Sequence, residues 1–317
     1  MQIFSMARPI GVEVSNFSVE DTNSTLCSLC TPLYNPYAGN GRGEENTRAI
    51  GDFLPGEKID FHDMTKIEDY GEFFRHLPPE TRVILSGGDG TLNRFINDTS
   101  GLDIPQDIYY YAAGSGNDFL RDLGRKPEDG PFPIGEYLRA LPVVIVNGKQ
   151  YRFLNGIGYG IDGYCCQVGD EQREKSTKPV NYTAIAIKGL LFHYKPTNAV
   201  VTVDGETHSY RKVWLAPTMN GRFYGGGMMP TPGQNRLSPD GTVSTMVMFG
   251  AGKLKTLMVF PSIFKGEHIR HKEMVAILTG HTISVEFDRP TPIQIDGETI
   301  LGVSGYSVTG ACEPVGV

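Results

Sequence analysis

The sequence predicts an α/β domain followed by a β-sandwich, and three observations predict it. Between residues 26 and 142 short apolar runs alternate with segments of helical spacing, the pattern of a largely parallel sheet with helices on both faces. From residue 143 the texture changes to short β-like runs, several of them divided by the turn pairs Asn147-Gly148, Asp204-Gly205 and Asp240-Gly241, which suits a sandwich or barrel. The length of 317 residues accommodates two domains of roughly 150 residues each.

The elements follow in order. Residues 1–25 carry no basic-then-apolar leader pattern and read as an extension, either poorly ordered or an extra edge element. Residues 25–31 are small or apolar and suit a short buried strand, which ends at Asn35-Pro36 and a glycine loop reaching Gly41. Residues 44–54 have helical spacing, 58–64 read as a strand and 67–77 as a helix with Tyr70, Phe73, Phe74 and Leu77 on its apolar side. The strand over 83–86 empties into Gly87-Gly88-Asp89-Gly90-Thr91, and a helix begins with Leu92, Phe95 and Ile96 on one face. The strand over 108–112 runs into Gly114-Ser115-Gly116-Asn117-Asp118. In the second half, strands are predicted over 143–146, 150–154, 199–203, 213–216, 243–249, 275–278, 283–287 and 293–295, and helices over 181–192 and 254–264. The domains are expected at 26–142 and 143–317, with the last residues packing back on the first.

Bulk properties exclude several classes. A net charge of −7 opposes a dedicated nucleic-acid binder, which carries a basic excess. No apolar run reaches the roughly 18–20 residues of a membrane span. Five cysteines, with Cys27 and Cys30 in a lone C-x-x-C and Cys165-Cys166 adjacent, lack the second pair that zinc needs. They read as buried and reduced, which points to the cytoplasm.

Three glycine loops (35–41, 87–91 and 114–118) fall at predicted carboxyl ends of strands, where open α/β sheets bind ligands. Glycines after a strand and before a helix expose backbone N–H groups to an anion. Asp89 would repel a phosphate unless a divalent cation intervenes, so a nucleotide–Mg²⁺ site is one reading and a capped turn the other. Ser115-x-x-Asp118 is equally a capping box, whereas Asn117 is not needed for a cap and suits a ribose, phosphate or metal-bound water. Asp296-Gly297-Glu298 follows an apolar run. On a strand its two carboxylates would share a face, suiting a general base beside a metal anchor; as Asp-Gly it is also a hairpin turn. The stretch from Asn220 through Gly225-Gly226-Gly227-Met228 to Asp240-Gly241 implies an irregular loop in which Asp240 and carbonyls could hold a cation, or a plain turn.

Taken together, Asn35-Pro36-x-Ala38-Gly39, Gly87 through Thr91, Gly114 through Asp118, Gly225 through Asp240-Gly241 and Asp296-Gly297-Glu298 resemble the diacylglycerol kinase catalytic family, in particular its soluble bacterial lipid kinases, related to sphingosine kinases. The resemblance runs from about residue 26 to the C-terminus. It implies an ATP-binding α/β domain of the NAD kinase/diacylglycerol kinase-like kind joined to a β-sandwich, with the active site between them. By resemblance, Asn35, Thr65, Gly87, Gly88, Asp89, Gly90, Thr91, Leu92, Asn93, Ser115 and Asn117 contact ATP. Asp89, Asp118 and Glu298 organise Mg²⁺. Asp296 takes the proton from a lipid hydroxyl with Glu298 beside it, and Leu237, Asp240 and Thr242 match a structural Mg²⁺ site. The acceptor implied is a lipid, diacylglycerol first, met at a membrane surface by a peripherally associated, cytoplasmic enzyme, with a homodimer compatible. Membrane contact is expected over 253–272, where Lys253, Lys255, Lys265, Arg270, His271 and Lys272 flank Leu254, Leu257, Met258, Val259 and Phe260. The chain departs from the family at Arg94, where Glu is usual, at Ser115, where Thr is usual, and in the polar run after Gly241. An NAD kinase shares the GGDG loop, and a non-catalytic nucleotide-binding regulator is favoured only by Arg94.

Overall fold

The computed structural model describes residues 29–114, 116–175 and 180–311. The expected N-terminal extension, Cys27, Ser115 and the packing of the last residues lie outside them.

The first sheet contains β1 (Leu29–Tyr34), β2 (Lys58–Ile59), β3 (His62–Asp63), β4 (Arg82–Gly87), β5 (Asp107–Ala112) and β6 (Phe132–Pro133). Its order is β2-β1-β4-β5-β6, with β3 also on β1. All neighbours are parallel except β6. β4 is central and buried almost throughout, as expected of a parallel strand covered on both faces. Alternation along it decides the packing: Val83 and Leu85 join Leu33, Phe74, Leu92 and Phe95 on one face, while Ile84 joins Cys30, Ile50 and Tyr111 on the other. Helices α1 (Ala38–Gly41), α2 (Gly43–Arg48), α3 (Tyr70–His76), α4 (Asp89–Asp98), α5 (Asp118–Asp122) and α6 (Gly135–Arg139) complete this half. The strand expected over 58–64 is interrupted, its two parts pairing with the two ends of β1.

The second half is a ten-stranded antiparallel system. It comprises β7 (Val143–Val146), β8 (Lys149–Arg152), β9 (Gly156–Tyr159), β10 (Thr197–Val203), β11 (Glu206–Val213), β12 (Thr218–Met219), β13 (Val243–Met248), β14 (Val275–Gly280), β15 (Thr282–Ile295) and β16 (Glu298–Thr309). The main path is β14-β13-β12-β9-β15-β16-β7-β8, and β10 joins β15 to β11. β15 pairs with β10 through residues 283–287 and with β9 through 293–295. Its register breaks between those stretches, where two prolines, Pro290 and Pro292, cannot donate to a ladder. One long strand therefore serves both layers.

The helical content of this half exceeds the expectation. α7 (Ile161–Lys175), the longest helix, has no counterpart in the predicted elements. The helix expected over 181–192 is α8 (Tyr182–Lys188) continued by a π-helix, Gly189–His193. α9 (Lys253–Val259) runs into 3-10 turns. These helices cover a core distinct from the sandwich interior. It is rich in methionine (Met219, Met228, Met246, Met248, Met274) and closes over Leu190, Trp214 and Ile263. β13 sends Val243 and Val247 into the sandwich and Met246 and Met248 toward the helices.

Candidate active site at the domain junction

The register of the first sheet aligns its carboxyl ends: Tyr34 lies beside Asp63 and Ser86, and Gly87 beside Ala112. Asn35, Thr65, Gly88 and Gly114 therefore emerge along one edge. Asn35 Oδ1 accepts from Tyr37 N at 3.0 Å, and the Thr65 hydroxyl donates to Asp63 Oδ1 at 2.7 Å. Burial opposes the Asp63 charge, but Thr65 and Lys66 outweigh it and hold its carboxyl below the usual value.

The two central loops touch backbone to backbone. A Cβ at Gly114 would stand 2.5 Å from Gly88 N and Cα, and one at Gly88 would stand 2.8 Å from Gly116 O. Asp89 N donates to Gly116 O at 3.1 Å, and both Ala113 N and Gly114 N donate to Gly87 O at 3.0 Å. Gly90 differs, since nothing lies within 4 Å of the place its Cβ would take. That leaves the N-terminal turn of the ten-residue helix α4 open at Gly90, while Asp89 N donates to Gly116 O and Thr91 N and Leu92 N donate to Gly88 O. Thr91, Leu92 and Asn93 are buried, and Leu92 is a core side chain. Leu92 can face a ligand only through its backbone.

Asp89 reaches across to α5. Its Oδ2 accepts from Asp118 N at 2.7 Å and its Oδ1 from Phe119 N at 3.0 Å. Asp89 thus satisfies the start of α5, while the capping-box reading, which needs Ser115, lies outside the described residues. Asp118 Oδ2 accepts from Gly226 N of the second domain at 2.8 Å. Burial, reinforced by the neighbouring Asp89 carboxylate, pushes the Asp118 carboxyl up to about 6. Gly225, Gly226 and Gly227 all have positive φ (59°, 82° and 103°), the conformation this approach requires. Asn117 donates to Gly114 O at 3.1 Å.

Asp296 and Gly297 form the two-residue turn of the β15–β16 hairpin, with φ of 45° and 99°, as a type I′ turn demands. Of the two readings the hairpin turn holds, and the shared strand face does not. Asp296 points inward, whereas Glu298 stands exposed at the start of β16. Asp296 is enclosed by donors. Leu154 N reaches Oδ2 at 2.5 Å, Asn155 N and Gly156 N reach Oδ1 at 2.9 Å each, and Asn93 Nδ2 reaches Oδ2 at 3.1 Å. Burial still outweighs these four donors and raises its carboxyl. Asn93 lies 203 positions earlier and one turn beyond Asp89 on α4, so one helix carries both the glycine turn and the contact to Asp296.

Sequence reasoning missed the clamp beside this junction. Asp122 of α5, buried, takes Arg236 Nε at 2.6 Å and Arg222 Nε at 2.7 Å from the second domain. Arg236 also donates to Leu154 O and Asn155 Oδ1 and covers the Phe119 ring at 4.7 Å. An acid at the end of Asn117-Asp118-Phe119-Leu120-Arg121-Asp122 looks like an ordinary helix residue, and nothing local marks its partner 114 positions on. Asp162 at the start of α7 was missed too. Its Oδ2 accepts from Gln294 Nε2 at 2.9 Å, and burial pushes its carboxyl up to about 6. Arg94, the departure from the family, faces solvent and pairs with Asp98 at 3.2 Å, so it removes nothing from the cleft.

The oxygen donors of Asp89 and Asp118 fit a divalent cation: two adjacent carboxylates, one already resisting ionisation, are relieved by a hard cation. Among the described residues no cluster of three metal-ligating side chains is preassembled, and no contact joins Glu298 to this pair. Leu237 and Asp240 lie on an exposed turn closed by Gly241 N donating to Ser238 O at 2.9 Å. The adjoining Thr242 carbonyl already accepts from Gln234 Nε2 at 2.9 Å.

Residues 31–140 match the family model of the diacylglycerol kinase catalytic domain, and residues 155–315 match that of the YegS C-terminal NAD kinase beta sandwich-like domain. A diacylglycerol kinase of Mycobacterium tuberculosis is 27% identical over 270 residues, covering 81% of this chain and 84% of its own length. A diacylglycerol kinase of Bacillus subtilis is 25% identical over 222 residues, covering 68% and 70%. A solved diacylglycerol kinase structure from Bacillus anthracis shares the fold, with a TM-score of 0.55 at 19% identity over 90% of this chain and 94% of that one.

Proposed function

Because the chain belongs to the diacylglycerol kinase catalytic-domain family, whose members are phosphotransferases with an alcohol acceptor, we propose that this lipid kinase uses ATP and Mg²⁺ to phosphorylate diacylglycerol to phosphatidic acid. The observation that carries the reading is the Asn93–Asp296 contact. It sets an acceptor-side carboxylate one helical turn from the open glycine turn at Gly90. The α4 N-terminus, open at Gly90, faces phosphate oxygens, with Asn35, Thr65 and Asn117 along the same edge for the rest of the nucleotide and Ser115 assigned to it by the family resemblance. Asp89 and Asp118 would hold Mg²⁺, with Glu298 as a third oxygen donor. The ion supplies neutralisation of phosphate charge. A second Mg²⁺ would take the all-oxygen set of Leu237 O, Asp240 and Thr242 O.

Asp296 serves as the base for the acceptor hydroxyl. A carboxylate has about four lone-pair sites, and all four are in use, so one donor must leave. Three are backbone N–H groups of the same domain, whereas Asn93 is a side chain from the other domain and makes the longest bond. The hydroxyl takes the place of Asn93 at Oδ2. Phosphoryl transfer asks little covalent work of the protein, and alignment with the γ-phosphate supplies most of the acceleration.

The test is radiolabelled transfer from ATP over a panel of diacylglycerol, ceramide, a sphingoid base, undecaprenol and NAD, with Mg²⁺ or excess chelator. Label on diacylglycerol, lost in chelator and restored by Mg²⁺, is expected. Label on NAD alone, or transfer that persists in chelator, would refute the reading.

A further inference from the structure

The fifteen exposed large apolar side chains among the described residues are not scattered evenly. Phe192, Leu254 and Met258 are 73%, 72% and 74% exposed. Leu254 and Met258 are four apart on α9 and share a face, and Phe192 projects from the π-helix. Lys253 Nζ donates to Leu191 O at 2.7 Å, joining the two elements. Beneath them Leu190, Val259 and Ile263 are buried in the methionine-rich core, so the platform is anchored while its tips stay in water. The membrane segment expected over 253–272 is thereby corrected. Val259 is buried, Leu257 and Phe260 pack inward, and Lys255 is paired with Glu273 at 2.9 Å; the exposed face draws its third tip from 192.

Charge identifies the occupant. Residues 180–203 contain Lys188 and Lys195 and no acid, and residues 241–266 contain Lys253, Lys255 and Lys265 and no acid, in a chain of net charge −7. Both segments that build this face carry lysines and no carboxylate of their own. A second copy seated symmetrically would set lysines against lysines. An anionic bilayer accepts both features, with apolar tips entering the headgroup–acyl boundary and lysine ammonium groups staying among the headgroups.

We propose that the face formed by Gly189–His193 and Lys253–Val259 docks on anionic membrane, inserting Phe192, Leu254 and Met258. The purpose rests on the lipid-kinase reading, but the binding does not. The full chain is sedimented with phosphatidylcholine vesicles, with and without phosphatidylglycerol. Binding only to the anionic vesicles is expected, weakening roughly tenfold or more when 1 M salt shortens the screening length from about 10 to 3 Å. The triple variant F192S/L254S/M258S should melt like the parent and lose at least about a hundredfold in partition. Lys188→Gln with Lys195→Gln should weaken anionic binding and flatten the salt dependence. Turnover on detergent-dispersed acceptor should be unchanged in the triple variant. A parent that does not bind anionic vesicles, a triple variant that binds equally, or a parent dimer abolished by the triple change overturns the proposal. Absence of turnover in the parent, with vesicle binding intact, would instead overturn the kinase reading.

Discussion

Asp296→Asn is the variant on which the site turns, and its effect is double. The replacement keeps the shape and converts one oxygen into an NH₂ donor. Placed at Oδ1, that donor would oppose two N–H groups, from Asn155 and Gly156. Placed at Oδ2, it opposes only Leu154 N, because Asn93 can turn its own amide and accept. The second orientation therefore wins, stranding one buried donor at a cost of about 1–3 kcal/mol. Burial already disfavours the Asp296 charge, so losing that charge offsets the weakening of the other bonds. Against a total of roughly 5–15 kcal/mol, the loss is visible. Urea unfolding followed by the fluorescence of Trp214, buried in the second domain, should show a lower midpoint. Turnover should fall roughly 10²–10⁴-fold, the usual worth of a general base. An unchanged midpoint would refute the anchoring role. Near-parental turnover in the folded variant would refute the base.

Three further outcomes follow from the same geometry. Gly114→Ala forces apart loops whose backbones lie 2.5 Å from the added carbon; a loss above about 2 kcal/mol in thermal melts and loss of ATP binding are expected, whereas Gly90→Ala, with open space, should melt at or above the parent temperature. Arg236→Met leaves Asp122 with one partner across the domain junction; a cost of about 3–5 kcal/mol and unfolding in two separated steps in calorimetry are expected. Asp162 is raised to about 6 by burial, so the folded state holds a proton that the unfolded chain releases near 4. Its contribution is present below about 4 and lost as pH rises through 6, by about 3 kcal/mol; Asp162→Asn should be more stable than the parent at pH 8 and flatten the slope between 4 and 6, with slope remaining from the raised carboxyls of Asp118 and Asp296.

What the sequence made legible was whatever depends on local periodicity and punctuation. The strand at 83–86, its glycine turn and the helix after it lie where predicted, because an apolar run and glycines act over a few residues. Helix α7 was not legible, since Gly163 and Gly169 interrupt it and its exposed end is charged; tertiary packing decides it. The Asp296-Gly297-Glu298 stretch suits both a strand face and an Asp-Gly turn, and the hairpin prevails, with both Asp296 and Gly297 at positive φ. Asp122 with Arg222 and Arg236, and Asp162 with Gln294, are pairings across 100 positions or more. No spacing rule reaches that far.

The carboxylates of the cleft serve as joints before they serve as chemistry. Asp89 holds the start of α5, Asp118 holds the Gly225–Gly227 turn, and Asp296 holds the 154–156 backbone. Each oxygen so engaged keeps only part of its capacity for a cation or a proton. The bonds of Asp89 to α5 and of Asp118 on α5 to Gly226 link the nucleotide loop to the second domain. The Asn93 side chain on α4 adds a second link, to Asp296. Glu298 alone, exposed and outside this web, is the acidic group whose substitution would report chemistry without disturbing the junction.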